Sequence, residues 1–410
     1  MTLLESRGGS PGATDSATSL WNRPLWVLSG QLTVVFAVVI GFGSVGLVKP
    51  KLFVLLMLLS TAGLVLLGPV RNIEKVILPI PVVLYMGWWG ASYLWTFNDW
   101  IFLRDTQLIF PLVAAMLVAV SLVPGRDLTR ALLAGCYVAI AWTVVFTLLN
   151  PGEAMGHPDG VPGWRGGFLH KNALAPFMLF AILTVLAFEE RPAQRRIAVA
   201  TAVTLVLLSQ STTSIVVGVL LLGFGWFLRR LSDAPPQARG ILLGGGSIVG
   251  VAFATLALTN LPQLLGFAGK DPTLTRRTEI WAGVIEAVQH RPFTGYGVGG
   301  AWVNLAAEPT RSILRGLGFV VYHSHNGFLE VVLQLGLVGL ALFCLLLVSV
   351  VAGALALISL DGRTATFVTS FCALVVLTSI SEVTTFGIWL VMLAAFSALV
   401  IRRRRELTAP

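Results

Sequence analysis

Apolar stretches of about 20 residues follow one another along most of the chain, and they constrain the fold more than any other feature. A helix of that length crosses the hydrocarbon core of a bilayer, where backbone groups must be hydrogen-bonded internally. The pattern therefore predicts an all-α fold, a polytopic membrane helix bundle. Its twelve candidate spans are residues 25–48, 52–70, 76–96, 106–123, 131–149, 172–188, 197–210, 213–228, 241–258, 337–359, 364–380 and 385–401.

Charged residues are scarce and unevenly placed between these spans. Only 11% of the residues are charged, whereas a soluble domain carries about 25%. Most of the 28 lysine and arginine residues lie in short connections on the side of the N-terminus. By the positive-inside rule this predicts a multi-pass membrane protein with both termini in the cytoplasm. Orientation explains much of the net charge of +9, so we expect no nucleic-acid partner.

The spans divide the chain into one membrane domain and two tails. Residues 1–24 predict a disordered cytoplasmic tail, and residues 402–410 a basic cytoplasmic tail. Residues 25–401 form a single transmembrane domain, of which 259–325 is a long extracytoplasmic loop with amphipathic helices. The seventh and eighth spans look short and flank a Ser/Thr-rich break at 209–214. This indicates either two half-length helices or a re-entrant pair beside a cavity.

Two cations and a histidine converge just before the sixth span, where Arg165, His170 and Lys171 precede Asn172. The start of a helix has free N–H groups and a positive dipole end, which attract anions. Arg165 and Lys171 would strengthen such an anion site. The alternative is a loop whose cations only reach towards the membrane surface, and spacing does not decide between the two.

The long loop contains a second basic motif at the start of an amphipathic helix. Apolar side chains recur there at helical spacing: Ile280, Trp281, Val284, Ile285 and Val288. The helix begins with Arg276 and Arg277, which either anchor it to the membrane surface or bind phosphate through their forked donors. A following match to G-x-G-x-x-G, at 295–300, has no strand before it, so we interpret it as a flexible turn and not as a nucleotide site.

The loop ends in a pair of histidines, His323 and His325, followed by Asn326. Histidine can take a proton near neutral pH, and ionisable groups at a membrane boundary are usually functional. No third ligand at recognisable spacing supports a metal, so we favour a catalytic histidine over a metal ligand or a structural residue. Glu382, near the outer end of the eleventh span, could orient a histidine or an arginine, and spacing does not decide its role.

Outward cations and one histidine are enough for one type of reaction. Outside the membrane the available activated sugars are lipid-linked, as in a glycan on undecaprenyl pyrophosphate. This leaving group departs as an anion and needs positive charge. The acceptor is a sugar hydroxyl and needs a base, for which neutral histidine is suited. A lipid-linked glycan transporter remains the alternative of another class, although transporters more often place charges mid-span.

Four motifs occur together between about residues 160 and 345. They are Trp164-Arg165-Gly166-Gly167-Phe168 with His170-Lys171-Asn172, Ser209-x-Ser211, Arg277-Thr278-Glu279-Ile280-Trp281, and His325-Asn326-Gly327-Phe328-Leu329. In this combination the chain resembles the O-antigen ligase and Wzy-type polymerase family of bacterial inner-membrane glycosyltransferases. The residue sequences of the first and third motifs are most similar to those of the exopolysaccharide-polymerase branch.

The resemblance implies the transfer of an undecaprenyl-pyrophosphate-linked glycan to a saccharide acceptor at the outer membrane face, with inversion and without a metal or other cofactor. It implies that His325 is the general base and that Arg277 binds the donor pyrophosphate, with Arg276, Arg165 and Lys171 as further donor contacts. The supporting residues would be Asn326, His323, Ser211, Thr212, Trp281 and Glu330. Membrane lipid and a polysaccharide export system are the expected partners.

Two positions depart from the family pattern. Ligases often have an arginine after Ser-x-Ser, where this chain has Thr212. The acid that often precedes the Leu-Gly step is Gln334 here, so Glu330 is the candidate to orient His325. We therefore expect a polymerase of a surface polysaccharide, with a ligase that attaches finished glycan to a lipid or wall acceptor as the alternative.

Overall fold

The computed structural model describes residues 24–41, 50–69, 74–156, 162–246, 276–302, 308–315, 317 and 319–409, and this part of the chain contains no strand. The prediction of an all-α membrane protein is confirmed. The helices are α1 (Leu25–Gly41), α2 (Pro50–Leu66), α3 (Ile80–Ala91), α4 (Asp99–Leu122), α5 (Gly125–Leu149), α6 (Pro151–Met155), α7 (Lys171–Phe188), α8 (Pro192–Leu208), α9 (Thr212–Asp233), α10 (Arg277–His290), α11 (Thr310–Leu314), α12 (Gly327–Ala356), α13 (Gly362–Ser379) and α14 (Ile388–Thr408).

Among the described residues, six helices are long and apolar enough to cross a membrane: α4, α5, α7, α9, α12 and α13. Shorter apolar helices lie at 25–39 and 54–66. Of the predicted ninth span, only residues 241–246 are described, and they are helical. Twelve spans therefore stay a prediction, as does the N-terminal tail, which lies outside the described residues apart from residue 24. Two half-length helices were one of the alternatives for the spans that flank 209–214. This alternative is wrong for α9, because that helix runs for 22 residues.

The centre of the bundle is a cluster of aromatic side chains between α7, α13 and α14. Phe371 packs edge-on against Phe180 and Phe396, with ring centroids 5.6 and 4.8 Å apart, and it stacks on Trp389. Edge-to-face pairs of this kind add to the free energy gained by burying their area. At the far end of α14, Arg402 donates to the Val120 and Val123 carbonyls at the end of α4. The predicted basic tail thus begins inside a helix that continues to Thr408.

The residues from α10 to the start of α12 form a small hydrophobic core of their own. Ile280 and Val284 on α10 are buried with Tyr296, Ile313 and Leu333. The apolar stripe predicted for this helix therefore faces the loop and the start of α12. Ile285, which the sequence assigns to the same stripe, lies outside this core and is 49% exposed. This packing fixes α10 relative to α12, which matters because both helices begin at the site described below.

A kink in α12 joins this loop to the membrane bundle. Gly336 has φ 67° and ψ −173°, a combination that essentially only glycine adopts. The break frees two N–H groups for the loop: Leu337 N donates to the Pro292 carbonyl at 2.8 Å, and Val338 N to the Phe293 carbonyl at 3.3 Å. The glycine-rich segment after Pro292 is a turn, as predicted. It is packed and not flexible, since Gly295 to Val298 are buried.

Replacing Gly336 by Ala should destabilise the fold by more than about 2 kcal/mol. Besides the disallowed backbone angles, a Cβ atom at this position would lie 2.1 Å from the Phe293 carbonyl oxygen. Thermal unfolding in detergent would measure the loss. Gly223→Ala on α9 is the matched control, because a Cβ there meets nothing within 4 Å; it should raise stability slightly, by up to about 1 kcal/mol. Equal melting temperatures for the two variants would contradict the account of the kink.

Candidate active site

Four segments that are far apart in sequence meet at one end of the bundle. They are the start of α7, the start of α10, the segment before α12, and the connection between α13 and α14. Each of the three helices begins here, so their unpaired N–H groups and positive dipole ends are brought together. Arg277, the histidine pair and Glu382 all lie in these segments.

Glu382, in the connection between α13 and α14, joins these segments. Its Oε1 accepts a hydrogen bond from Asn172 Nδ2 at 2.7 Å and another from Arg277 Nη2 at 2.8 Å. Its Oε2 lies 4.0 Å from His325 Nδ1. Burial raises the pKa of Glu382 to about 7, although Arg277 and Asn172 act to lower it. One carboxyl group thus contacts the predicted donor arginine and faces the predicted base.

His325 is held in an unusual backbone conformation. Its φ is 51°, in the left-handed region that non-glycine residues rarely adopt. Its Nδ1 is buried and makes no hydrogen bond with the described residues, yet the side chain as a whole is 29% exposed. The accessible atoms therefore belong to the rest of the side chain, which carries Nε2. Burial lowers the pKa of His325 to about 3, and positive charge on His323, Arg277 and His170 contributes, so the imidazole is neutral at pH 7.

The residues on either side of His325 fix its position. Asn326 caps α12, where its Oδ1 accepts from Phe328 N and Leu329 N, both at 3.0 Å. Its Nδ2 donates to the Ile380 carbonyl at 3.3 Å, which ties the histidine segment to the Glu382 segment. The predicted supporting role of Asn326 thus has a structural basis in this capping interaction.

A second buried acid, Glu330, holds the other side of the histidine segment. It is only 2% exposed. Its Oε2 accepts from Ser324 N at 2.7 Å, while its Oε1 accepts from Trp302 Nε1 at 2.7 Å and from Gln334 Nε2 at 2.6 Å. The carboxylate does not bond the His325 ring. It fixes the backbone between the two histidines, where Trp281 Nε1 also donates to the Ser324 carbonyl at 3.0 Å.

His323 packs against His325, with ring centroids 4.0 Å apart. Its Nδ1 accepts from His325 N at 3.3 Å. Burial lowers the pKa of His323, against the raising effect of Glu330. The His323 ring therefore contacts both the ring and the backbone N–H of His325, and the charged form of His323 would oppose protonation of His325.

The other residues predicted to bind the glycan donor make hydrogen bonds with groups of the protein itself. Arg276 forms a bidentate pair with Glu279 at 2.7 and 2.9 Å and lies over the Phe319 ring. Arg165 donates to Glu153 Oε1 at 3.0 Å. Lys171 Nζ donates to the Pro162 carbonyl at 2.6 Å. Their contact with a donor stays a prediction.

The Ser/Thr break lies next to the Glu382 segment. Ser211 Oγ donates to Ser214 Oγ at 3.1 Å, and Thr212 begins α9. Thr213 Oγ1 accepts from Ser381 Oγ at 3.2 Å, one residue before Glu382. The break therefore contacts the Glu382 segment through this one hydrogen bond, while the bonds of Ser211 are to its own turn. Its place beside a cavity stays a prediction.

Two comparisons with known proteins bear on this arrangement. A family model described as O-antigen ligase matches residues 197–344. The exopolysaccharide production protein ExoQ of Rhizobium meliloti (strain 1021) is 30% identical over 308 residues, which cover 68% of this chain and 69% of that protein. The chain belongs to the O-antigen ligase and Wzy-type polymerase family. Membership implies glycosyltransferase-type activity in membrane polysaccharide biosynthesis, with lipid-linked glycan and saccharide substrates.

The matched segment of the O-antigen ligase model contains Arg277 and His325 but neither Asn172 nor Glu382. Spacing along the sequence does not decide whether Glu382 orients a histidine or an arginine, and it does not identify Asn172 as a site residue. Their proximity depends on the packing of α7 against α13, which no local spacing reports. The available signal was that each is a polar residue at an end of an otherwise apolar span. Among the described residues, no group of three His, Cys, Asp or Glu side chains could hold a metal ion.

Proposed function

We propose that the chain polymerises a surface polysaccharide, by transferring an undecaprenyl-pyrophosphate-linked glycan to a sugar hydroxyl at the outer face of the cytoplasmic membrane. The observation that carries this proposal is the grouping of Arg277, His325 and Asn172 around the carboxyl group of Glu382. It combines a fixed cation with a neutral imidazole. Glycosyl transfer from a pyrophosphate needs these two groups and no general acid.

In the proposed reaction His325 Nε2 takes the proton of the acceptor hydroxyl. The acceptor oxygen attacks the anomeric carbon of the donor, and the bond from that carbon to the pyrophosphate breaks. Undecaprenyl pyrophosphate leaves with the electron pair, and attack from the opposite side inverts the anomeric centre. Ionised Glu382 stabilises the imidazolium through Nδ1, once the 4.0 Å separation closes to hydrogen-bond length.

Arg277 is suited to the leaving group. Its Nη2 is engaged with Glu382, but its Nε and Nη1 make no hydrogen bond with any described residue. Glu382 holds the Arg277 guanidinium in place, and the N–H groups on Nε and Nη1 are hydrogen-bond donors that fit phosphate oxygens. The relative ExoQ is named for exopolysaccharide production, which supports a polymerase over a ligase. Partners in a polysaccharide export system belong to the same proposal.

Reconstitution tests the proposal against its alternatives. Purified protein in nanodiscs is given a lipid-pyrophosphate-linked repeat unit, and the products are separated by length. We expect chains of many repeat units, with an inverted linkage and no loss of rate when a chelator is added. Transfer of one finished glycan to a non-repeat acceptor would replace the polymerase by a ligase. Movement of the lipid-linked glycan across the membrane without a new glycosidic bond would replace the enzyme by a transporter.

Activity should rise with pH through a midpoint near 7, the pKa to which burial raises Glu382. Below that pH the carboxyl group is neutral and cannot stabilise the imidazolium. His325, with a pKa of about 3, is neutral over the whole range and adds no second limb. Elongation rates from pH 5.5 to 8.5 measure the profile.

Glu382→Gln should abolish the rise of activity around pH 7 and lower the maximal elongation rate at high pH. The matched control is Glu286→Gln, an exposed acid on α10, which should keep the midpoint of the unsubstituted protein. An unchanged midpoint in Glu382→Gln would show that another group titrates.

A further inference from the structure

A groove of about 1150 Å³ lies at the opposite end of α7 from the candidate active site. Its walls are α5 and α8, and the last turns of α7 form its floor, where Val185 is buried against Leu133 and Ala198. The hydroxyl of Tyr137 donates to Glu189 Oε2 at 2.6 Å and bridges the first wall to the connection between α7 and α8. The groove is separate from the residues that we assign to glycosyl transfer.

The walls of the groove are apolar over a long distance. On α5 they form one stripe at helical spacing: Leu133, Ala134, Tyr137, Ile140, Ala141, Val144 and Val145. From Arg130 to Val145 this wall is about 22 Å long, more than half of the roughly 30 Å hydrocarbon core. On α8, Ile197 is 68% exposed. The groove therefore suits a long apolar chain better than a compact polar ligand.

The mouth of the groove is basic. Arg126 and Arg130 lie four residues apart on one face of α5, and Arg191 directly precedes α8. Three acids lie near the mouth, and each has a partner. Glu189 binds Tyr137 and Arg191 N, Glu190 pairs with Arg363 at 3.4 Å, and Asp127 lies 3.7 Å from Arg130. The Arg126 guanidinium contacts no acid among the described residues. An anion at the mouth would thus be favoured.

We infer that this groove binds an anionic phospholipid of the surrounding membrane. The phosphate lies among Arg126, Arg130 and Arg191, and one acyl chain lies along α5 and α8. Basic pockets between membrane helices recognise acidic headgroups in this way. The inference does not depend on the proposed reaction, because no residue of the groove takes part in it.

Native mass spectrometry of the full chain in detergent tests the inference. Phosphatidylglycerol and phosphatidylcholine with identical acyl chains are the probes. We expect preferential retention of phosphatidylglycerol, and a loss of about 25-fold in Arg126→Gln/Arg130→Gln, at roughly fivefold for each arginine. The matched control, Arg229→Gln/Arg230→Gln at the end of α9, removes the same charge outside the groove and should change retention little.

Ala141→Trp gives a second readout, because it fills the apolar part of the groove and leaves the arginines intact. Retention of phosphatidylglycerol should fall in this variant too. Equal retention of the two lipids, an equal loss in the control, or full retention in Ala141→Trp would each overturn the inference. So would self-association of the unsubstituted protein that is lost in the arginine variant without a change in lipid retention, which would identify a second copy of the chain as the occupant.

Discussion

Replacing His325 by Asn should lower the rate of glycan elongation by about 10²–10⁴-fold, the usual contribution of a general base. Without the imidazole no group at this position can take the proton of the acceptor hydroxyl. The bound donor should remain bound, because Arg277 and Glu382 are unchanged. Single-turnover elongation by the purified protein, measured beside donor binding, would show a loss in the chemical step alone.

Asn is a better substitution than Ala at this position, because it separates an effect on catalysis from an effect on folding. The φ of His325 is 51°, and Asn tolerates the left-handed region several-fold better than most residues. Thermal unfolding should therefore change little, which separates catalysis from folding. His290→Asn, at the end of α10, is the matched control and should keep full activity.

His323→Asn distinguishes the two histidines of the pair. Since His323 contacts His325 through its ring and accepts from its backbone N–H, this variant should lose activity only partly. Its residual activity should keep the pH midpoint of the unsubstituted protein. A complete loss in His323→Asn together with near-normal elongation in His325→Asn would reverse the assignment of the base.

The sequence predicted the parts of the fold that depend on composition. Apolar runs indicated where helices would cross the membrane, because lipid leaves the backbone few alternatives. It did not predict the kink at Gly336, since a single glycine in an apolar run does not show which carbonyls will lie opposite the break. It also did not show what the apolar stripe of α10 packs against, because helical spacing reports an apolar face but not its partner.

The site residues also fall into two groups, those that local sequence motifs identify and those that only the packing of helices brings together. Arg277 and His325 could be identified from motifs that each occupy a few consecutive residues. Glu382 is 57 residues beyond His325 and 105 beyond Arg277, so only the packing of α13 and α14 brings it to them. The number of cations was also a weak guide, because two of them are paired with acids. Arg165 is paired with Glu153, which lies outside the motifs, and Arg276 with Glu279, which lies within the third motif.

Replacing Arg277 by Gln should reduce turnover of the donor by about 10²–10³-fold, the usual effect of removing one donor that stabilises developing negative charge. Lipid-linked repeat units should accumulate in cells that carry this variant. Arg311→Gln, an exposed arginine on α11, is the matched control and should leave turnover unchanged. Arg276→Gln should lose less than Arg277→Gln, because its guanidinium is already paired with Glu279.

The loss in Arg277→Gln has two sources that can be separated. The substitution removes a contact for the leaving pyrophosphate, and it also leaves Glu382 without its cation, at a cost of about 1–3 kcal/mol in stability. In Arg277→Gln/Glu382→Gln the carboxylate is gone, so thermal stability should return towards that of the unsubstituted protein while donor turnover stays low. The reference for turnover is Glu382→Gln alone, which already lacks the carboxylate. Lower donor turnover in the double variant than in Glu382→Gln assigns Arg277 to the donor, whereas equal turnover would show that Arg277 serves only to pair Glu382.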